Sequence, residues 1–350
     1  MKIAGRYEPN GATSAGGMGE IIECIDSHLQ RRVIIKRLQV GIAERRLLDE
    51  QKALAKLRSK HVVQLFDIIE LSDRGKSEKA IVLEFIDGKN LEVASFKAGR
   101  DYLNVLWQIA CGLKDIHDAG VIHRDIKPNN IRVDKEGVIK IIDFGLARSH
   151  DDAKTRNIIG TPVFMAPELW KDQTVSFDHS IDVYAFGATA LALLSKDAPK
   201  ELAYRPPQAV SLAALSPMLS GLQPDVITLI HNCLRTDQTK RPRMADVQTL
   251  LARHLLENEH RALVVMDGKA HQLDRKNRKI TLNAGAVGSL TVEYDGFDFK
   301  IASATGAVSL NNTVARAGAL VPGCCVITFG GAGQNRRFVT FDVSNPEVMP

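Results

Sequence analysis

The side chains with the sharpest chemical meaning lie in His123-Arg124-Asp125-Ile126-Lys127-Pro128-Asn129-Asn130 and, after an Ile-Ile pair, in Asp143-Phe144-Gly145. A carboxylate such as Asp125 can accept the proton of an attacking hydroxyl, a role worth ~10²- to 10⁴-fold in rate. Lys127, two residues on, can aim its charge at the same reacting group. Asn130 and Asp143 offer the neutral and anionic oxygens that a hard cation such as Mg²⁺ prefers. Base, cation and metal ligands in this order specify phosphoryl transfer from a metal-bound triphosphate to a hydroxyl. Either tripeptide alone would read as ordinary turn chemistry; the pair at this spacing does not.

Further upstream, Ser14-Ala15-Gly16-Gly17-Met18-Gly19-Glu20-Ile21 is a glycine-rich turn whose small residues let backbone N–H groups approach phosphate oxygens. Lys36 ends a Val-Ile-Ile-Lys strand and Glu50 lies on the next helix, so an ammonium can touch the phosphates while a carboxylate fixes its position. A surface salt bridge is the competing account of that pair. It is weakened by the apolar strand before Lys36 and by Leu47, Leu54 and Leu57 around Glu50, where an unpaired charge is costly.

The elements that must position these groups follow from periodicity. Alternation predicts strands at 21–25 and 32–36, and three-and-four spacing predicts a helix over 44–58 with Leu47, Leu48, Ala53, Leu54 and Leu57 inward. Strands are expected at 62–70 and 80–85, separated by a polar turn at 72–79. Helical spacing then dominates at 101–119, 178–195, 224–234 and 243–256. Beyond Glu257-Asn258-Glu259 the texture changes to short β-rich runs, 279–282, 289–292 and 337–341, punctuated by Gly and Asn. A domain boundary is placed near 258.

A chain of 350 residues exceeds what one core usually organises, so two or more domains are expected. Lys plus Arg total 46 against 41 for Asp plus Glu, a formal +5 spread evenly over both parts. That excess argues for neither nucleic acid nor an anionic membrane. Five cysteines, Cys24, Cys111, Cys233, Cys324 and Cys325, form no metal-binding frame and are expected reduced and mostly buried. The longest apolar run, Val183 to Leu194, falls short of the ~20 residues that span a bilayer. A cytoplasmic chain without a membrane span is expected.

Over residues 1–258 the sequence resembles the eukaryotic-like protein kinase family, in its bacterial serine/threonine branch. The glycine-rich loop, Lys36, Glu50, His123 to Asn130, Asp143-Phe144-Gly145, Gly160-Thr161-Pro162 with Ala166-Pro167-Glu168, Asp182 in a long apolar helix and Arg241-Pro242 occur in family order. The resemblance implies an α+β, two-lobed fold, with a small β-rich N-lobe at about 1–86 and a mainly helical C-lobe at about 87–258. ATP would lie between them with Mg²⁺, or Mn²⁺ as an alternative. It implies ATP contacts from Ser14, Gly16, Gly17, Gly19, Ile21, Ile34 and Lys36, a gatekeeper at Leu83, and a hinge from Glu84 to Ile86. It also implies Glu168 paired with Arg241 and Asp182 as structural anchors. Lys127 and Thr161 resemble serine/threonine rather than tyrosine kinases. Arg124 is a natural partner for phosphate on the segment 146–165, where Thr155 is the first and Ser149 the second candidate for autophosphorylation. Ser14 replaces the first loop glycine, Ile34 replaces an alanine and Ile21 a valine, so the adenine roof is bulkier than the family's.

Residues 259–350 are expected to form a small all-β sandwich. Ser309-Leu310-Asn311-Asn312, the run 320–330 and the strand 337–341 resemble the closing strands of a degenerate forkhead-associated domain. The Gly-Arg and Ser-Arg-x-x-His residues of that family's phosphothreonine reader are not found between 259 and 310, so phosphopeptide binding is not expected. A docking or regulatory module is the preferred reading. The favoured function is an ATP-dependent serine/threonine protein kinase acting on protein substrates. A nucleotide-binding pseudokinase scaffold is the alternative, and a small-molecule kinase is disfavoured by the Ala166-Pro167-Glu168 anchor and Thr161.

Overall fold

The computed structural model describes residues 2–16, 19–37, 44–73, 76–149, 154–155, 162–170, 175–176, 178–331, 333, 335–344 and 346–348. The chain divides into two compact units, Met1–Leu251 and Ala252–Met349.

The first unit opens with strands β1 (Tyr7–Gly16), β2 (Gly19–Asp26) and β3 (Arg31–Arg37), helix α1 (Glu44–Lys56), and strands β4 (Leu65–Asp73) and β5 (Lys76–Glu84). The five strands form an antiparallel sheet in the order β1-β2-β3-β5-β4. Alternation sorts β3 cleanly. Val33 and Ile35 pack with Tyr7, Ile22, Cys24, Ile69, Ala80 and Val82 in one core. Ile34 and Lys36 point to the opposite face, beside their cross-strand partners Ile21, Ile81 and Leu83. Two sequence expectations need correction here. The polar stretch 72–79 is mostly strand, because the antiparallel register continues through Ser72↔Ser77 to Asp73↔Lys76; backbone pairing requires no apolar side chain. Likewise most of the glycine-rich turn is ladder, with Ser14↔Ile21 and Gly16↔Gly19 paired.

The helical part follows with β6 (Gly88–Asn90), α2 (Arg100–Asp118), β7 (Val121–Ile122), β8 (Ile131–Asp134), β9 (Ile139–Ile141), β10 (Arg148–Ser149), β11 (Lys154–Thr155) and β12 (Val175–Ser176). Then come α3 (Ser180–Leu194), α4 (Lys200–Ala203), α5 (Leu212–Leu215), α6 (Pro224–Cys233) and α7 (Met244–Leu255). α2 turns Tyr102, Leu106, Ile109, Ala110, Leu113 and Ile116 inward, whereas α3 is buried nearly all round. An apolar helix without a polar face belongs at a core centre. Tyr102 closes the contact between them, its hydroxyl donating to the Ala190 carbonyl at 2.9 Å. Small sheets β6-β8-β9 and β10-β7 frame the loop between α2 and β8.

The second unit holds β13 (Ala262–Met266), β14 (Lys269–Leu273), β15 (Lys279–Asn283), β16 (Gly288–Tyr294), β17 (Phe299–Gly306), β18 (Val308–Leu310), β19 (Thr313–Val314), β20 (Cys324–Phe329) and β21 (Arg337–Val343). Six of these form a sheet in the order β14-β13-β21-β20-β18-β19, and β15-β16-β17 form another. Val264, Leu273, Ile327 and Phe341 from the first sheet and Leu290, Val292, Tyr294 and Ile301 from the second share one core.

The cysteines are free thiols, buried except for the exposed Cys324. Among the described residues no helix is long and apolar enough to cross a membrane.

Candidate active site

Lys36, Glu50 and Asp143 meet although they are far apart in sequence. The Lys36 ammonium donates to both Glu50 carboxylate oxygens at 2.9 and 2.8 Å and to Asp143 Oδ1 at 2.9 Å. Lys36 is 7% and Glu50 2% exposed, so the contacts are made in a low-dielectric setting. Burial alone would lower the pKa of Lys36, but the two carboxylates outweigh it and hold the ammonium charged. Burial pushes the Glu50 carboxyl up, against the pull of Lys36. Asp143 is half-buried, its side chain 30% exposed, and its bond to Lys36 holds it below the ordinary carboxylate range against what burial alone would do. The stronger anion of the two is therefore Asp143.

The second cluster is built on the loop after β7. Asp125 Oδ2 accepts from Lys127 Nζ and from Asn130 Nδ2, each at 2.8 Å, and Asn130 Nδ2 also donates to the Asp125 carbonyl. Pro128–Asn130 form a single 3₁₀ turn, which folds Asn130 back over Asp125. Backbone bonds tie this loop to the segment that carries Asp143: the Ile142 N–H donates to the Asn130 carbonyl at 2.9 Å. His123 bridges the two from below. Its Nδ1 accepts from the Asp125 N–H at 3.3 Å, which leaves Nε2–H to donate to the Ile142 carbonyl at 3.1 Å. Burial lowers the His123 pKa, in keeping with a neutral ring that packs edge-on against Phe144 at 4.6 Å.

Asp182, at the start of α3, supports the whole loop. Its Oδ1 accepts from the Arg124 N–H and its Oδ2 from the His123 N–H, both at 2.8 Å. Arg124 and Asp143 both adopt left-handed backbone, φ 72° and 65°. Such positions are uncommon for non-glycine residues and persist where surrounding bonds over-determine them. Farther down, the Arg241 guanidinium grips Glu168 in a two-pronged bond of 2.6 and 2.8 Å and donates to the Ser180 carbonyl at 3.0 Å.

Ile21, Ile34 and Leu83 lie on the sheet face that carries Lys36. Glu84 ends β5, its N–H bonded to the Gln64 carbonyl. Ile86 is 7% exposed, and among the described residues its backbone makes no hydrogen bond. The backbone of Ser14, Gly16 and Gly19 is placed in the β1–β2 hairpin, while Gly17 lies outside the described residues. Ser149 and Thr155 lie on β10 and β11; Gly160 and Thr161 fall outside the described residues.

Two partners were missed in the sequence. Lys140 forms an ion pair with Glu84 at 2.9 Å, and the only hint was a lysine between Ile139 and Ile141. His117 Nε2 stands 3.1 Å from Asp182 Oδ2, a contact between α2 and α3 that no local pattern announces.

With this geometry in place, comparison with known proteins is decisive. A protein kinase domain model matches residues 7–253, well over half of the chain. The chain belongs to the protein kinase family. Its relatives include a probable serine/threonine-protein kinase PknB of Corynebacterium glutamicum, 32% identical over 213 residues, which are 57% of this chain and 33% of that protein. The serine/threonine-protein kinase PknA of Mycobacterium tuberculosis is 31% identical over 214 residues, 57% of this chain and 49% of its own. The probable serine/threonine-protein kinase SCO3848 of Streptomyces coelicolor is 30% identical over 270 residues, 70% and 39% of the two chains. The kinase chain thus spans about a third to a half of the length of these curated relatives. Membership implies ATP and a divalent metal ion in general.

Proposed function

We propose that this chain is an active serine/threonine protein kinase that transfers the γ-phosphate of ATP to hydroxyls of a protein substrate. The observation that carries the reading is the junction of Lys36 with Glu50 and Asp143 at 2.8–2.9 Å, on a segment bonded directly to the Asp125–Asn130 loop. Lys36, steered by Glu50, neutralises phosphate charge. Asp125 accepts the hydroxyl proton, oriented by Asn130 and by Lys127, which adds a positive charge beside the transferring group. Ile21, Ile34 and Leu83 pack the adenine ring, and the Glu84 and Ile86 backbone forms the hinge. Ser14, Gly16, Gly17 and Gly19 cover the phosphates.

The donor set fits Mg²⁺, with Mn²⁺ as an alternative. Asn130 commits its Nδ2 to Asp125 and so keeps its amide oxygen as a ligand, while Asp143 has Oδ2 beyond the oxygen that meets Lys36. Two protein oxygens completed by phosphate and water are the usual environment of that ion. When bound, it neutralises charge on the β- and γ-phosphates. Glu168 and Arg241 anchor the segment that faces the substrate, and Thr155, then Ser149, are the preferred autophosphorylation sites. Residues 259–350 form a β-sandwich resembling a degenerate forkhead-associated domain, used for regulation or docking without phosphothreonine recognition.

The test is incubation of the full chain with Mg²⁺, ATP and a peptide array, followed by intact-mass spectrometry. Transfer to Ser/Thr peptides and a phosphate gain on the chain itself are expected, both lost in Asp125→Ala. Nucleotide binding with no transfer by the unmodified chain would make it a scaffold and sink the reading.

A further inference from the structure

The two sheets of the second unit treat their outward faces differently. On β15-β16-β17 the outward positions are polar: Lys279, Thr281 and Asn283 are exposed on β15 and Glu293 on β16. Thr281 bonds Thr291 at 3.0 Å and Ser289 bonds Thr305 at 2.8 Å across that face. This is the ordinary pattern of an antiparallel sheet with one solvated side. The six-stranded sheet breaks it. Ala262, Val264 and Met266 of β13 point into the core, which leaves Leu263 and Val265 outward, 50% and 52% exposed. Two neighbouring strands continue the patch with Val326 of β20, 38% exposed, and Phe338 of β21, 66% exposed. The register sets Asp342 beside Leu263, Thr340 beside Val326 and Thr328 beside Phe338, so the apolar side chains neighbour one another along diagonals of the face, between polar residues. Four large apolar side chains exposed on one face of three adjacent strands are the kind of cluster that marks an interaction surface.

The charges around the patch select its occupant. Read along its outward face, β13 is Arg261, Leu263, Val265 and the turn residue Asp267, that is, cation, apolar, apolar, anion, with Arg261 and Asp267 exposed. A two-fold axis crossing the strand at Val264 would lay Leu263 on Val265 of a second copy and Arg261 opposite Asp267. Isologous interfaces require this kind of self-complementarity. Among the described residues Asp267 meets the exposed Arg337 at 3.3 Å, a surface pair of little energetic weight. We infer that the outer face of the six-stranded sheet is a homodimer interface, in which two copies pack β13 against β13 in antiparallel fashion. The inference stands on the second unit alone and is independent of the kinase reading.

Sedimentation velocity of the full chain over the micromolar range tests it. The mass should rise with concentration to twice 38.4 kDa. Val265→Asp should weaken association by about tenfold or more, since it places a charge at an apolar contact. Thr281→Asp, on the polar face of the other sheet, should leave it unchanged. Arg261→Asp and Asp267→Arg should each weaken it, and the double exchange should restore it, because the two positions face each other across the axis. Circular dichroism checks that each variant is folded. A monomer at every concentration overturns the inference. If hydroxyl-radical labelling then finds Leu263 and Val265 shielded, the patch belongs to another part of the chain, and if labelled, to a different protein. A dimer indifferent to Val265→Asp, or folded single exchanges that the double one does not rescue, overturns it equally.

Discussion

Asp182 offers the most searching test of how the fold holds the candidate active site. It is fully buried and accepts three hydrogen bonds, from the Arg124 and His123 N–H groups and from His117. Bonds to a charged acceptor contribute about 1.5–3 kcal/mol each, and they are not additive when shared. Asp182→Ala removes them, leaves two backbone N–H groups unsatisfied, and releases the left-handed turn at Arg124; a loss of about 3–5 kcal/mol is expected. Asp182→Asn keeps the shape but turns an NH₂ toward a donor, at about 2 kcal/mol. Both tryptophans, Trp107 and Trp170, lie in the first unit, so their fluorescence in urea reports its unfolding without interference from the second. Burial works to raise the Asp182 pKa, but the His117 bond and its neighbours outweigh it and the net shift is downward. A depressed carboxylate stabilises above its unfolded pKa and ceases to as pH falls through the folded one. The unaltered kinase should therefore lose stability on acidification where Asp182→Asn does not. Phosphate transfer should fall in Asp182→Asn with ATP affinity kept, since Lys36, Glu50 and Asp143 are untouched. Unfolding within about 0.5 kcal/mol of the parent, the range of an ordinary surface change, would refute the argument.

Three further outcomes are expected. Ile34→Ala should tighten ATP binding by about tenfold in calorimetric titration, because relief of an overpacked slot commonly recovers ~1–3 kcal/mol; unchanged or weaker binding defeats the bulky-roof account. Gly187→Ala in α3 should destabilise the first unit by about 1–3 kcal/mol in the same fluorescence assay, since the added Cβ would lie 2.9 Å from Cys233 Cβ and 3.0 Å from Leu234 Cγ. A gain in stability, as helix propensity alone would give, rules that out. Arg6 grips Asp26 through two bonds of 2.7 Å and holds its carboxyl down at about 2. Stability from this pair should be complete above pH about 4 and vanish as pH falls toward about 2, a slope that Asp26→Asn removes in acid titrations of the first unit.

The parts of this kinase that were legible in its sequence are those where chemistry and local order coincide. Lys36 could be placed because an apolar strand must end on it, and Glu50 because its helix turns Leu54 inward beside it. Asp125 and Asn130 are brought together within one short turn. What stayed hidden depends on contacts between distant elements. His117 reaches Asp182, and Lys140 reaches Glu84, across gaps that periodicity cannot bridge. β1 and β17 were missed for a different reason: their ladders are held by backbone bonds, and polar or small residues interrupt their alternation, whereas β13 is an unbroken apolar run whose outward Leu263 and Val265 hide the period of two.

The charge balance at Lys36 shows why such distant contacts matter to chemistry. One ammonium serves two carboxylates, and their environments divide the charge: the more deeply buried Glu50 is pushed up while Asp143 is held down. A sequence can name all three residues but cannot say which carboxylate is the stronger anion. That is decided by burial, which bears harder on Glu50, 2% exposed, than on the Asp143 side chain, 30% exposed, while both share the Lys36 ammonium. Loosening Asp182 should therefore leave the balance at Lys36 as it is, because its bonds run to His117, His123 and Arg124.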